Sequence, residues 1–348
     1  YQSMWDSGVF GNLVWNAAHG HGLRSSVLGD QPYLSVHFTL TPYLLAPLLW
    51  IWPSPAALAA VQGLALGSSI LAAYLIARRS TEDRLAPWAV AFLAVSTGYF
   101  HDLAGAVLDN SLYAPPCFLW GMYCLVSGRR MGAAICAGLL LTTREHAPFV
   151  IAGAGLFLAQ SERGGMRKAG LVLAVAAAGL WAAQMQALRL AQSAAESPLA
   201  RWTLYSSLGA SLDEVLAASL RRPWLAASAL VWPPAKLWVV CKAFLYLALL
   251  PLGAGAGLWT AAVAWLPNQL ADAGHEFQRL GMHYSAFVYG PLVFCSLRGL
   301  IRWSGALKTA AARRILYAWV FALAGAQKFL NAEFLLSPRL MPSRWRET

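Results

Sequence analysis

The sequence predicts an all-α, polytopic integral membrane protein, and three observations predict it. Of its 348 residues, 58% are hydrophobic and only 12% charged. A mean hydropathy of +0.52 goes with them, beyond what soluble domains carry. The apolar residues gather in runs that approach or reach the length of a membrane helix. Lys and Arg fall in short clusters between those runs, where loop charges set membrane orientation. That clustering also excludes nucleic acid as a partner, despite a net charge of +11. Cys117, Cys124, Cys136, Cys241 and Cys295 all lie within apolar runs without a Cys-x-x-Cys pair. They read as small buried hydrophobes rather than a zinc site or a disulfide framework.

The elements follow in order. The polar opening, residues 1–38, holds Asp6, His19, His21 and His37. It must lie on one side of the membrane, so an upstream span is expected to precede it. Residues 39–52 are apolar but broken by Pro42 and Pro47, too short to span and suited to an interfacial or re-entrant helix. Residues 55–77 are long enough to cross and end on Arg78-Arg79 and Arg84, which places 1–54 outside. Spans are then expected over 86–100, 112–127, 131–143, 147–160 and 169–190, with basic turns at 128–130 and 163–168. Ser211-Leu-Asp-Glu214 matches a capping box, and Leu212, Val215, Leu216 and Leu220 give one apolar face of a helix lying on the membrane surface. Passes over 237–252, 255–266, 284–297 and 315–327 complete the alternation. The chain thus divides into an outer segment, 1–54, and a transmembrane bundle, 55–348, of about ten spans. Its outer loops lie near 99–111, 191–235 and 267–283.

In this topology all seven histidines lie outside or at the outer ends of spans. Asp6, Asp30, Asp102, Asp109, Glu145, Asp272 and Glu276 lie there too, whereas the inner loops hold Glu82, Asp83 and Glu162. Span interiors carry almost no charge, Lys242 being the clearest exception. Ion-coupled transporters keep ionisable groups near mid-membrane. A titratable rim on one face suits chemistry at the membrane boundary.

Several of these stretches together resemble a known family. They are Trp5-Asp6-Ser-Gly-Val-Phe, Leu13-Val-Trp15-Asn16, Gly20-His-Gly22-Leu23, Val36-His37-Phe38 before Tyr43-Leu-Leu-Ala-Pro47, Thr142-Thr143-Arg144-Glu145-His146, Pro234-Ala-Lys236-Leu237 and His283-Tyr284-Ser285-Ala286. In this order, over nearly the whole chain, they resemble the predicted membrane proteins of domain of unknown function 2079. That family is similar to the GT-C glycosyltransferases, so the resemblance implies a GT-C-like helical bundle with outer juxtamembrane helices. It also implies transfer of a sugar from a polyprenyl-phosphate donor on the extracytoplasmic face of the cell membrane. The chain departs from the family at Arg144-Glu145-His146, where Lys-Glu-Asp is usual. It departs again at Leu108-Asp109-Asn110-Ser111, which is shorter than the expected Asp-Phe-His-Pro-Glu-like motif and lacks its His and Glu.

Each candidate site residue has two readings. Asp6 resembles the first-loop aspartate of GT-C enzymes, a general base for the acceptor hydroxyl. Alternatively it caps a helix starting at Gly8. Arg144 offers a planar fork for the donor phosphate, oriented by Glu145, or the two form a snorkelling pair at a span end. His37 and His283 would donate to phosphate oxygens, or are simply solvated. Asp102 and Asp109, beside His101, would hold a divalent cation, magnesium or manganese, or are ordinary loop polar groups. The partners expected are a lipid-linked sugar donor and membrane lipids. The rival to an enzyme is a non-enzymatic membrane protein on the same scaffold, a lipid or solute carrier or an assembly subunit.

Overall fold

The computed structural model describes residues 2–105, 108–193, 204–272, 280 and 283–335. Among them are fifteen α-helices and one two-stranded hairpin, so the protein is all-α. The first described element is a helix, α1 (Gln2–Ala18). Asp6 therefore sits inside a helix already under way, and the capping role open to it in the sequence is not taken. Val9, Phe10, Leu13 and Val14 explain why: at helical spacing they share one side and are buried. That side packs on α2 (Thr41–Ile51) and on the hairpin of β1 (Arg24–Ser25) with β2 (Gln31–Pro32). Asn16 Nδ2 donates to Arg24 O at 2.7 Å, and Asn12 Oδ1 accepts from Ser26 N at 2.9 Å, fastening hairpin to helix.

The bundle begins at α3 (Pro55–Ser80), capped by the Ser54 hydroxyl and closed by Arg78 and Arg79 in its last turn, where cations meet the negative end of the helix dipole. Then come α4 (Ala86–Ser96), the short α5 (Gly98–Ala104), α6 (Ala114–Val126), α7 (Arg130–Leu141), α8 (Ala147–Ser161) and α9 (Gly164–Ser193). Three helices among the described residues are long and apolar enough to cross a membrane: Pro55–Ser80, Gly164–Gln192 and His283–Ala306. A fourth crossing is open to a bent pair, α11 (Pro223–Val231) with α12 (Pro234–Tyr246), which meet at 57°. The first of that pair lies within the stretch expected as an outer loop. Its apolar run is cut short by Pro233 and Pro234, which supply no backbone donors. Lys236 closes the break: although 2% exposed, its Nζ donates to Ala229 O at 2.5 Å and Gln269 O at 2.8 Å. Of the two lysines of α12, Lys236 is thus buried and Lys242 exposed.

The amphipathic α10 (Leu212–Arg221) forms where its capping box predicts, with the return bond of Glu214 made one residue before the cap. Ser211 Oγ accepts from Glu214 N at 3.3 Å, while Glu214 Oε2 reaches back to Ala210 N at 2.8 Å. At the centre stands α14 (Ala286–Ala306), walled by α3, α4, α6, α8 and α13 (Leu258–Leu270). It runs on through Arg298 and Arg302, expected in a loop, since Arg298 lays its guanidinium over the Phe157 ring at 5.4 Å. The last helix among the described residues is α15 (Ala310–Leu335). Helices α8 and α9 approach so closely that a Cβ on Gly155 would lie 2.7 Å from Gly170 O, and one on Gly170 2.6 Å from Gly155 O.

The two ends of the bundle differ. At one, the basic turns gather: Tyr317 donates to Asp83 at 2.8 Å, and Arg79 lies over Tyr123. At the other end, the histidine-bearing segments meet.

Candidate functional site

Thr142, between α7 and α8, anchors the site. Its carbonyl accepts from Leu40 N at 2.8 Å and Thr41 N at 3.1 Å, and from the hydroxyls of Thr39 and Thr41 at 3.0 Å each. This staples the segment before α2 to the turn that carries Arg144, Glu145 and His146. The staple sets His37 against Glu145, with Nδ1 2.8 Å from Oε1, while Phe38 N donates to Oε2 at 3.0 Å. Glu145 therefore orients His37 and not Arg144. His146 Nδ1 lies 4.0 Å from the same carboxylate, and its ring stacks on Phe287.

Arg144 turns the other way. It is 2% exposed, and its Nη2 donates to Asp109 Oδ2 at 2.7 Å. The Tyr284 ring lies 5.2 Å from its guanidinium carbon. Neither residue of the turn snorkels: both are buried and paired. Asp109 is delivered by three elements. It caps the 3-10 turn Asn110–Tyr113 by accepting from Ser111 N at 2.7 Å. Its own N–H donates to Gln62 of α3 at 2.9 Å, and the N–H of Leu108 donates to Ser7 of α1 at 3.1 Å. Burial pushes the Asp109 carboxyl up, but Arg144, His283 and the Ser111 bonds outweigh burial and hold it at about 2. Burial disfavours the Arg144 cation too, yet Asp109 leads the groups that raise its pKa above the usual value.

Five expected residues thus meet in one cluster, Asp109, Arg144, Glu145 and His283 buried and His37 half-buried. His283 is 5% exposed and lies against Tyr284, ring centroids 4.0 Å apart. Asp6 stands half-buried on α1, one residue before Ser7, which bonds to the Asp109 loop. Asp102 is exposed on α5, and its neighbour His101 faces Lys328 at 3.1 Å. Both carboxylate oxygens of Asp109 are already engaged by Arg144 and Ser111. Among the described residues no group of three or more His, Cys, Asp or Glu could hold a metal ion. His275 and Glu276 lie outside the described residues.

Beside the cluster opens a cavity of about 630 Å³, within the usual range for small-molecule sites. His37, Glu145, His146, Tyr205, Ser219 and Tyr284 are its polar lining, while Phe149, Trp181, Met185, Leu216 and Leu266 are among the apolar side chains that form the rest. Asp6, Arg144 and His283 are not in its wall. His146 and Tyr284 were not singled out by sequence reasoning, although each directly follows a residue that was.

A family model described as "Predicted membrane protein (DUF2079)" matches residues 1–343. No curated protein and no solved structure matches the chain.

Proposed function

We propose, for a chain that belongs to the DUF2079 family of predicted membrane proteins, the transfer of a sugar from a polyprenyl-phosphate donor to an acceptor hydroxyl on the extracytoplasmic face of the cell membrane. The cavity carries this proposal: it is apolar over most of its wall and ends in an ionisable pair, His37 and Glu145. A polyprenyl phosphate has the matching polarity, a long apolar chain ending in an anion. The chain lies against Phe149, Trp181 and Met185, and the phosphate faces His37, whose imidazole is held by Glu145 through Nδ1. A protonated imidazole in that setting is a hydrogen-bond donor to phosphate oxygen.

In the reaction, the acceptor oxygen attacks the anomeric carbon while the hydroxyl proton passes to the Asp6 carboxylate, which stands on α1 outside the cavity wall, so the sugar must reach from the cavity towards α1. The bond from that carbon to the phosphate oxygen breaks, its electron pair leaving on the phosphate. Arg144, paired behind Tyr284, acts as a positioning residue rather than a phosphate clamp.

Asp6→Asn keeps size and hydrogen bonding but removes proton acceptance. In membranes carrying the full chain, given a mixed set of polyprenyl-phosphate sugars, donor turnover should fall about 10²–10⁴-fold with donor binding kept. Equal turnover by parent and Asp6→Asn would remove Asp6 from the mechanism. Donor binding without turnover in the parent would favour a lipid carrier.

A further inference from the structure

A second cavity, also of about 630 Å³, lies on the opposite side of α8 from the candidate site. The α6–α7 hairpin and the α8–α9 hairpin each pack closely within themselves and little against one another, and the space between them is a slot. Its walls are built from small and apolar side chains, Gly121 and Ala137 on one hairpin and Ala154 and Ala169 on the other. At its mouth stand two arginines, Arg130 at the start of α7 and Arg163 in the α8–α9 turn. Both are exposed, and neither forms a salt bridge among the described residues. No acidic side chain lines the slot; Glu162 precedes Arg163 in the chain but lies outside the wall.

We propose that this slot holds one acyl chain of an anionic phospholipid whose phosphate is bound by Arg130 and Arg163. Depth supports it. From Arg130 to Leu140, the deepest α7 residue of the wall, ten residues of helix rise about 15 Å, half of a hydrocarbon core of roughly 30 Å and so the depth of one leaflet. Orientation supports it as well: Met131, Ile135 and Val172 on the same helices are exposed, as side chains facing lipid tails are. The charge selects the head group. Guanidinium groups bind phosphate through paired donors. Arg129, Arg167 and Lys168 beside them add a field that repels the ammonium of a zwitterionic head and favours phosphatidylglycerol or a similar anion.

The test measures lipid retained by the full-length protein, purified in a mild detergent and exchanged against equimolar phosphatidylglycerol and phosphatidylcholine. Mass spectrometry of the intact protein gives bound lipid, and size-exclusion chromatography gives the oligomeric state. The parent should retain one phosphatidylglycerol in preference to phosphatidylcholine. Arg130→Gln with Arg163→Gln should weaken that retention about 30-fold, roughly fivefold for each arginine. Ala137→Leu, which leaves both arginines and fills the slot, should also displace the lipid. Equal retention of both lipids by the parent would overturn the proposal, as would a filled slot that still retains phosphatidylglycerol. A dimer that separates only when the slot is filled would overturn it in favour of a second copy of the chain.

Discussion

Arg144 and Asp109 illustrate how a buried pair differs from its members. Removing one partner leaves the other charged, buried and unmatched, at a cost of about 3–5 kcal/mol, whereas removing both charges together can be close to neutral. Arg144→Gln and Asp109→Asn should each therefore lower the thermal midpoint in detergent markedly. The double variant should recover much of that loss, and additive losses would show that the two are not coupled. The pair also sets a pH window. A carboxyl held at about 2 rather than 3.8 stabilises the fold fully above the higher value. That stability is lost as pH falls through the lower one. Acid unfolding of the parent should thus show a component between those values that Asp109→Asn lacks. Sequence reasoning found these residues singly: polar side chains at span ends, on the face that carries the histidines. It missed their pairing, because Arg144 and Asp109 stand 35 positions apart and His37 and Glu145 108 apart. Adjacency in sequence suggested that Glu145 would orient Arg144. In space the two side chains point to opposite neighbours.

Helix boundaries were far more legible, since apolar runs and basic turns mark them directly. The expected spans over 55–77, 131–143 and 147–160 correspond within a few residues to α3, α7 and α8. Besides the overrun of α14 through Arg298 and Arg302 and the break of the 86–100 span into α4 and α5, two helices escape the pattern: α1, which the capping alternative for Asp6 starts only at Gly8, and α11, hidden in an expected loop. Each is short or weakly amphipathic, and packing rather than pattern makes it a helix. Packing also separates glycines that look alike in sequence. Gly170 and Gly179 share α9, but a Cβ at Gly170 would strike the α8 backbone and one at Gly179 would meet nothing. Gly170→Ala should lower the unfolding midpoint by forcing α8 and α9 apart. Gly179→Ala should leave it unchanged or raise it by the equivalent of about 0.5–1 kcal/mol, the helix cost of glycine. Equal effects would mean that α8 and α9 are not in backbone contact.

Across the whole molecule, polarity separates two ends. The basic turn after α3 meets the start of α15 through Asp83 and Tyr317, and the turns before α7 and α9 share a slot. At the other end α1, the Asp109 loop, the Arg144 turn and the segment before α2 are bonded together. With basic loops retained in the cytoplasm, reporters fused in 78–84, 128–130, 163–168 and 307–309, the turn between α14 and α15, should be cytoplasmic. Reporters at 20, 105 and 205 should be external. A cytoplasmic reporter at 20 would invert the arrangement and move the candidate site to the other face.

The Tyr99 hydroxyl, which donates to the Ser285 carbonyl 186 residues away, bears on the order in which the molecule is assembled. Chains enter the membrane amino-terminus first, so α5 is in place long before its partner is made. His283 and Tyr284, which complete the cluster around Asp109 and Arg144, arrive with that partner. A ribosome-bound chain ending before residue 283 would then have its early helices inserted and its polar end open to water. Protection of the Asp109-loop backbone amides, whose acceptors Ser7, Gln62 and Asp109 are all made early, should begin before residue 283 is made and rise in a further single step once α14 has emerged.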